Sequence, residues 1–312
     1  MKHPKTLNET CAWLCVVCGL LLFSPQLFAA ETFKILVLNS DAAVTKYQLS
    51  QEEFQKIVPF PVKAIDLGNK KWDAPAVEEL LYDEDPDLVY CLGIKAYLIA
   101  NKYVKNAPIV FSSIINWLRL PMTEKTYGVS NELPVGMEIM LFHYVFPEVQ
   151  RIGVLYSKKY TQEWFKQASK EAKEMGIELV GSKVTDKKHV NSHLKKLLPE
   201  VDAYWLISDP TLMTEKQELF DILDLCHRTN KPVFSYHETF ASFGAVLTVS
   251  VDDPTIGRQA AGIAMEVLAE TTFDEKVQFP AGSYIVLNLK RVKEYGLSYN
   301  EDALGSINDI LE

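Results

Sequence analysis

The stretch from 147 to 180, PEVQRIGVLYSKKYTQEWFKQASKEAKEMGIELV, limits the possible folds more than any other part of the chain. Arg151–Tyr156 is a short apolar run with polar flanks, which reads as a buried strand. From Thr161 the period changes: Trp164, Ala168, Ala172 and Met175 recur at helical spacing, with Glu and Lys between them. Gly176 supplies a helix stop, and Ile177–Val180 opens another strand. Strand, helix and strand in that order build a parallel sheet. The same alternation has already run once, from Lys34 to about Val129. A count that restarts mid-chain predicts two α/β lobes with the functional site at their joint.

Continuing the alternation places lobe 1 at 31–130 plus 249–283 and lobe 2 at 131–248 plus 284–312. Three crossovers are expected, near Ser130–Pro134, Phe243–Thr248 and Ser283–Ile285. The last dozen residues read as weakly structured.

The first 30 residues stand apart. Lys2 and Lys5 precede an apolar run from Cys11 to Phe23, and Ala29-Ala30 follow, the pattern of a cleaved signal peptide. The run is short for a membrane span, so secretion with cleavage is expected rather than an uncleaved anchor. Losing Lys2, Lys5 and Glu9 moves the net charge from −9 to −10. With no stripe of Lys and Arg, that surface argues against nucleic acid as a partner. Cys91 and Cys226 remain, both in apolar surroundings, and read as buried free thiols, with pairing in an oxidising compartment as the alternative.

In open parallel sheets, ligands bind beyond the carboxyl ends of the strands. That rule selects Asn39, Ser40 and Asp41; Gly93 and Ile94; Ser112, Ser113 and Asn116; Ser157 and Tyr160; Ser208 and Asp209; Tyr236, His237 and Glu238. Taken singly, each also reads as a helix cap or turn residue. As a set they describe two sheets facing one cleft, the build of a hinged binding protein. Trp117 joins them because it follows a strand end, whereas Trp72, Trp164 and Trp205 read as core. No P-loop, GxSxG or GxGxxG motif is present, so neither cofactor nor catalytic group is expected. His189 and His193 lie four apart on a Lys-rich helix and read as a solvated face rather than a zinc site.

Four segments carry a resemblance to a known family: APIVF at 107–111, RIGVLYS at 151–157, GRQAA at 257–261 and VLNLKRVKEYGL at 286–297. With these the chain resembles the periplasmic substrate-binding proteins of ABC transporters, type I binding fold, in the group that includes tryptophan- and tyrosine-binding members. The resemblance implies a two-lobed monomer that closes on a small solute, such as an amino acid, and delivers it to a membrane permease. It implies ligand contacts near Ser40, Gly93, Ser112, Tyr156, Ser157, Asp209 and Tyr236. Asp209 would accept hydrogen bonds from an ammonium group. The helix starts after Gly93 and Ser157 would meet a carboxylate, and Trp117 or Tyr236 an aromatic side chain. The chain departs from the family pattern at Ile94, at Asn116-Trp117 and at 123–128. Two other readings are a ligand sensor feeding a receptor kinase or chemoreceptor, and a cleft hydrolase using His237 and Asp209.

Overall fold

The computed structural model describes residues 32–68 and 74–312; the expected signal peptide and Trp72 lie outside them. The first run of elements is β1 (Ile35–Asn39), α1 (Thr45–Ile57), β2 (Val62–Asp66), α2 (Ala74–Glu84), β3 (Leu88–Leu92), α3 (Ile94–Tyr103), β4 (Ile109–Ile114) and β5 (Thr126–Ser130). The second run is α4 (Val135–Val145), β6 (Arg151–Ser157), α5 (Gln162–Glu174), β7 (Glu178–Val184), α6 (Val190–Leu197), β8 (Ala203–Leu206), α7 (Lys216–Arg228), β9 (Val233–Ser235), α8 (Thr239–Ser242) and β10 (Leu247–Val251). The chain then returns through α9 (Asp253–Leu268) and β11 (Val277–Gln278) before β12 (Ser283–Asn288), α10 (Leu289–Tyr295) and β13 (Asp309–Leu311).

Two sheets result, with strand orders β11-β5-β4-β3-β1-β2 and β13-β12-β10-β9-β8-β6-β7. The first is wholly parallel. In the second, β12 runs antiparallel to β10 and carries β13 parallel beside it. β13 lies in the tail expected to be weakly structured. It forms because β12 offers an open edge, a tertiary cause that local sequence does not announce.

Helices cover both faces of each sheet, so central strands such as β1 and β3 are buried along their whole length. On β3, Leu88, Tyr90 and Leu92 join a core with Phe54 of α1 and Ile256 and Ala260 of α9. The alternate residues Val89 and Cys91 join a separate core with Ala96, Tyr97 and Ala100 of α3. Cys91 and Cys226 sit in cores of different sheets, which is why both remain free thiols. Burial pushes both thiols well above their ordinary range.

The chain crosses between sheets at 131–134, after Val251 and at 279–282. The second crossing is later than expected because β10 stays paired with β12 as far as Val251. The third is earlier because β12 already begins at Ser283. α9 returns the chain to the first sheet by packing tightly on α1. A side chain at Gly257 would collide with the Ser50 carbonyl oxygen, and the Ser50 hydroxyl donates to the Asp253 carbonyl at 2.9 Å.

Candidate functional site

The carboxyl end of the first sheet is built around Gly93 and Tyr47. Gly93 has φ 81° and ψ 168°, a conformation open essentially to glycine alone. The Tyr47 hydroxyl and the Ser40 Oγ lie 2.6 and 2.8 Å from where a β-carbon would stand. Ser40 Oγ accepts from the Ala96 amide at 3.0 Å, capping α3 from a different strand end. Ser112 is fully buried, and its hydroxyl is 2.7 Å from that of Tyr90. Ser113 follows at φ 60°, where the β4–β5 register shifts, and its buried hydroxyl has no partner among the described residues. Asn116 is also left-handed, at φ 59°, and its amide donates to Glu132 at 3.1 Å. Trp117 is half-buried and packs against the core under α3.

Two charged side chains complete this edge. The Lys46 ammonium lies 5.1 Å from the Tyr47 ring centroid. Asp253, the first residue of α9, is close enough to raise the pKa of Tyr47 after burial has done so. Asp253 itself is pushed up to about 6, chiefly by burial. Lys46 counteracts that rise, and Glu238 and Asp252 add to it. Lys46 is held below its ordinary value by burial, with Asp253 opposing. No ion pair joins Lys46 to Asp253, and Asp253 Oδ1 is a buried atom without a partner among the described residues.

The second sheet presents a different edge. Asp209 is buried, and its Oδ2 accepts from the Ser157 amide at 2.9 Å and from the Thr161 hydroxyl. Its Oδ1 accepts from the Thr211 amide at 2.8 Å. The carboxylate expected to meet a ligand's ammonium is therefore occupied in fastening the β8 end to the β6–α5 turn. Ser157 is equally committed, accepting from the Tyr160 amide at 3.0 Å. Tyr156 turns away from this edge and stacks on Phe165 of α5, centroids 4.3 Å apart, as alternation along a strand requires. Tyr236 is half-buried and meets Phe240 edge-on at 5.5 Å.

The two edges face each other. Arg119, just beyond Trp117, places its guanidinium 4.4 Å above the Tyr160 ring and donates to the Lys159 carbonyl. On the other flank, His237 is solvent-exposed yet surrounded. Its pKa is lowered first by burial and also by Lys46 of the opposite lobe, with Glu238 opposing.

Of the expected residues, Ser40 and Gly93 converge on Tyr47 and Ser112 bonds Tyr90, while Ser157 and Asp209 are engaged in turns and Tyr156 stacks on Phe165. Lys46, Tyr47, Tyr90, Arg119 and Asp253 were missed. One signal for Asp253 was available in the sequence. Asp252-Asp253-Pro254 reads as a helix cap, but a helix uses one cap, and Asp252 takes it by accepting from the Thr255 amide at 3.0 Å. The second aspartate is spare.

Comparison with known proteins places this architecture. The model of the family described as ABC transporter substrate binding protein matches residues 67–309. A tyrosine-binding protein of Clostridioides difficile is 21% identical over 217 residues, 65% of this chain and 62% of that protein's length. Among solved structures, an ABC domain in complex with L-Trp from Streptococcus pneumonia superposes with a TM-score of 0.62 at 18% identity, covering 90% of this chain and 100% of that one. The ligand-free, open structure of a substrate binding protein with adhesive properties from Clostridium difficile gives 0.68 at 16% identity, covering 90% and 99%. The two-lobed type I binding fold is thereby shared.

Proposed function

The chain belongs to the family of ABC transporter substrate binding proteins, and from that premise we propose that it captures a small solute, an amino acid or close analogue, between its lobes. It then hands the solute to a membrane permease outside the cytoplasm, with residues 1–30 serving as a removable signal. No helix among the described residues is long and apolar enough to cross a membrane. The observation that carries the reading is the pairing of the two polar sheet edges, held face to face by Arg119 and Tyr160. Gly93, Ser112, Asn116, Trp117 and Tyr236 supply the proposed contact surface, while Ser40, Ser157 and Asp209 fix the turns that shape it.

Closure works as a population shift. A solute that touches both edges binds the closed form more tightly and draws the lobes together. The three crossing segments are short, so a few residues absorb the hinge motion.

Relatives that bind tyrosine and L-Trp make aromatic amino acids the first solutes to test. In a thermal-shift screen, a ligand at 100 times its dissociation constant adds roughly 2.7 kcal/mol, several degrees for a protein of this size. A shift with at least one small solute is the expected result. A folded protein that binds none, and carries none when purified, would refute the reading.

A further inference from the structure

The protein is acidic, yet one side of its second sheet is basic. Residues 158–197, from the turn after β6 to the end of α6, hold ten lysines, no arginine and five acidic residues. That is a net +5 in a chain whose total is −9, so the remainder carries −14. All ten lysines are exposed. The acidic side chains do not cancel them. Glu163 pairs with Lys166 at 2.9 Å, Glu178 pairs with Arg151 at 3.0 Å, and Asp186 accepts from the Lys188 amide at 2.9 Å. Glu171 turns toward α4, where its carboxylate lies over Gly136. Lys170, Lys173 and Lys183 have no ion-pair partner among the described residues.

The lysines share a face with a groove. Lys166, Lys170 and Lys173 recur at i, i+4 and i+7, the solvent stripe of α5 opposite the buried Ala168 and Ala172. β7 is the last strand of its sheet, and alternation puts Leu179, Gly181 and Lys183 on its α5 side, with Gly181 against the Phe165 ring. Between α5 and β7 runs an open groove of about 390 Å³, lined by Ser169, Lys173, Gly176, Ile177, Glu178 and Leu179. Met175 stands 40% exposed at the end of α5.

We propose that this α5–β7 face docks on an anionic phospholipid bilayer, with Lys166, Lys170, Lys173 and Lys183 on headgroup phosphates and Met175 at the apolar boundary. The inference goes beyond solute capture and does not depend on it. A bilayer fits better than an acidic protein for two reasons. Every cation in 158–197 is a lysine, a mobile point charge, whereas recognition of particular carboxylates favours the planar fork of arginine. The groove joins a lysine rim to an apolar floor of Ile177 and Leu179, the polarity order of a phospholipid from phosphate to acyl chain. The net negative charge does not forbid contact. At physiological salt, charges interact over about 8 Å, so acidic groups beyond that range are screened from the bilayer. Each lysine near such a surface strengthens partitioning about 5-fold.

The test is co-sedimentation of protein expressed from the full chain with two kinds of vesicle, phosphatidylcholine alone and phosphatidylcholine mixed with phosphatidylglycerol. The expected result is binding to the anionic vesicles only, abolished when salt is raised to about 0.5 M. The double variant Lys170→Glu, Lys173→Glu should bind at least ~10-fold more weakly. The double variant Lys290→Glu, Lys293→Glu makes the same change in net charge on α10, which follows β12 at the opposite end of the strand order, and should bind as the parent does. All four of these lysines are exposed, so both variants should melt as the parent does. A leader segment still attached would act alike in all three proteins. Equal binding to neutral vesicles, or binding that survives high salt, would overturn the inference. Equal loss in both double variants would overturn it too, reducing the effect to net charge. Sedimentation with neither vesicle would do the same, and retention on immobilised polyglutamate in that case would assign the face to an acidic protein instead.

Discussion

Arg119 and Tyr160 belong to opposite lobes and meet face to face, the guanidinium 4.4 Å above the phenol ring. The same guanidinium donates to the Lys159 carbonyl, so one side chain ties the loop after β4 to the turn after β6. A cation over an aromatic ring at an accessible site contributes about 0.5–1 kcal/mol, and the hydrogen bond about 1 kcal/mol more. Arg119→Ala should therefore shift the lobes toward the open form. The expected outcome is a larger radius of gyration by small-angle scattering and ligand affinity weakened about 5- to 30-fold, with the melting temperature of the free protein little changed.

Gly93→Ala tests the centre of the first edge. The substitution forces a side chain into a backbone region that glycine alone tolerates, at a cost of about 1–3 kcal/mol. Its methyl would also displace the Tyr47 hydroxyl and Ser40. Binding should be lost more completely than stability, as read by calorimetry alongside urea unfolding.

Asp253 makes stability depend on pH with a definite sign. Its folded pKa, about 6, exceeds the ordinary value of 3.8. The contribution to stability is therefore fully present below pH 3.8 and declines as pH rises to about 6, flat thereafter. Asp253→Asn should remove this decline and raise stability at pH 7 by about 1–2 kcal/mol, allowing for partial solvent screening. Urea titrations at several pH values measure it.

Glu138, in the first turn of α4, is buried and lifted well above its ordinary value by that burial and by Glu132. Glu132 is itself raised by burial, with the Asn116 amide opposing. The sign is the same, so stability from Glu138 is greatest below its ordinary pKa of 4.5 and is lost as pH rises. Glu138→Gln should stabilise the protein near neutrality by about 1–3 kcal/mol, with the difference vanishing in acid. An equal loss at all pH values would contradict this account.

Gly257→Ala should separate α1 from α9, since its methyl would strike the Ser50 backbone rather than a mobile side-chain end. Such overpacking costs about 1–3 kcal/mol. Urea unfolding should show it, and Gly262→Ala on the same helix, which has open space around it, should not.

Two lobes, their parallel sheets and most element boundaries were legible because the signals are local. Apolar runs of five or six residues alternate with helical periodicity, and β3, α4 and β6 follow directly from that. The polar strand ends were legible for the same reason, which brought Ser40, Gly93 and Ser112 to notice. β11 and β13 were not, because a strand of two or three residues exists only where a partner's edge is open to it.

The sequence by itself determined the run of strands and helices and which strand ends are polar, since alternation and periodicity depend on near neighbours. Only the tertiary structure decided how each polar group is used. It spent Asp209 on the amides of Ser157 and Thr211 and left Asp253 Oδ1 without a partner, although both aspartates precede a proline. The difference is long-range. Asp209 meets a turn 52 positions away that takes its Oδ2, whereas the crossing after β10 carries Asp253 to the edge where Lys46 and Tyr47 feel its charge. Whether a carboxylate is structural or available depends on which donors the fold brings within hydrogen-bond reach, and one-dimensional spacing does not encode that.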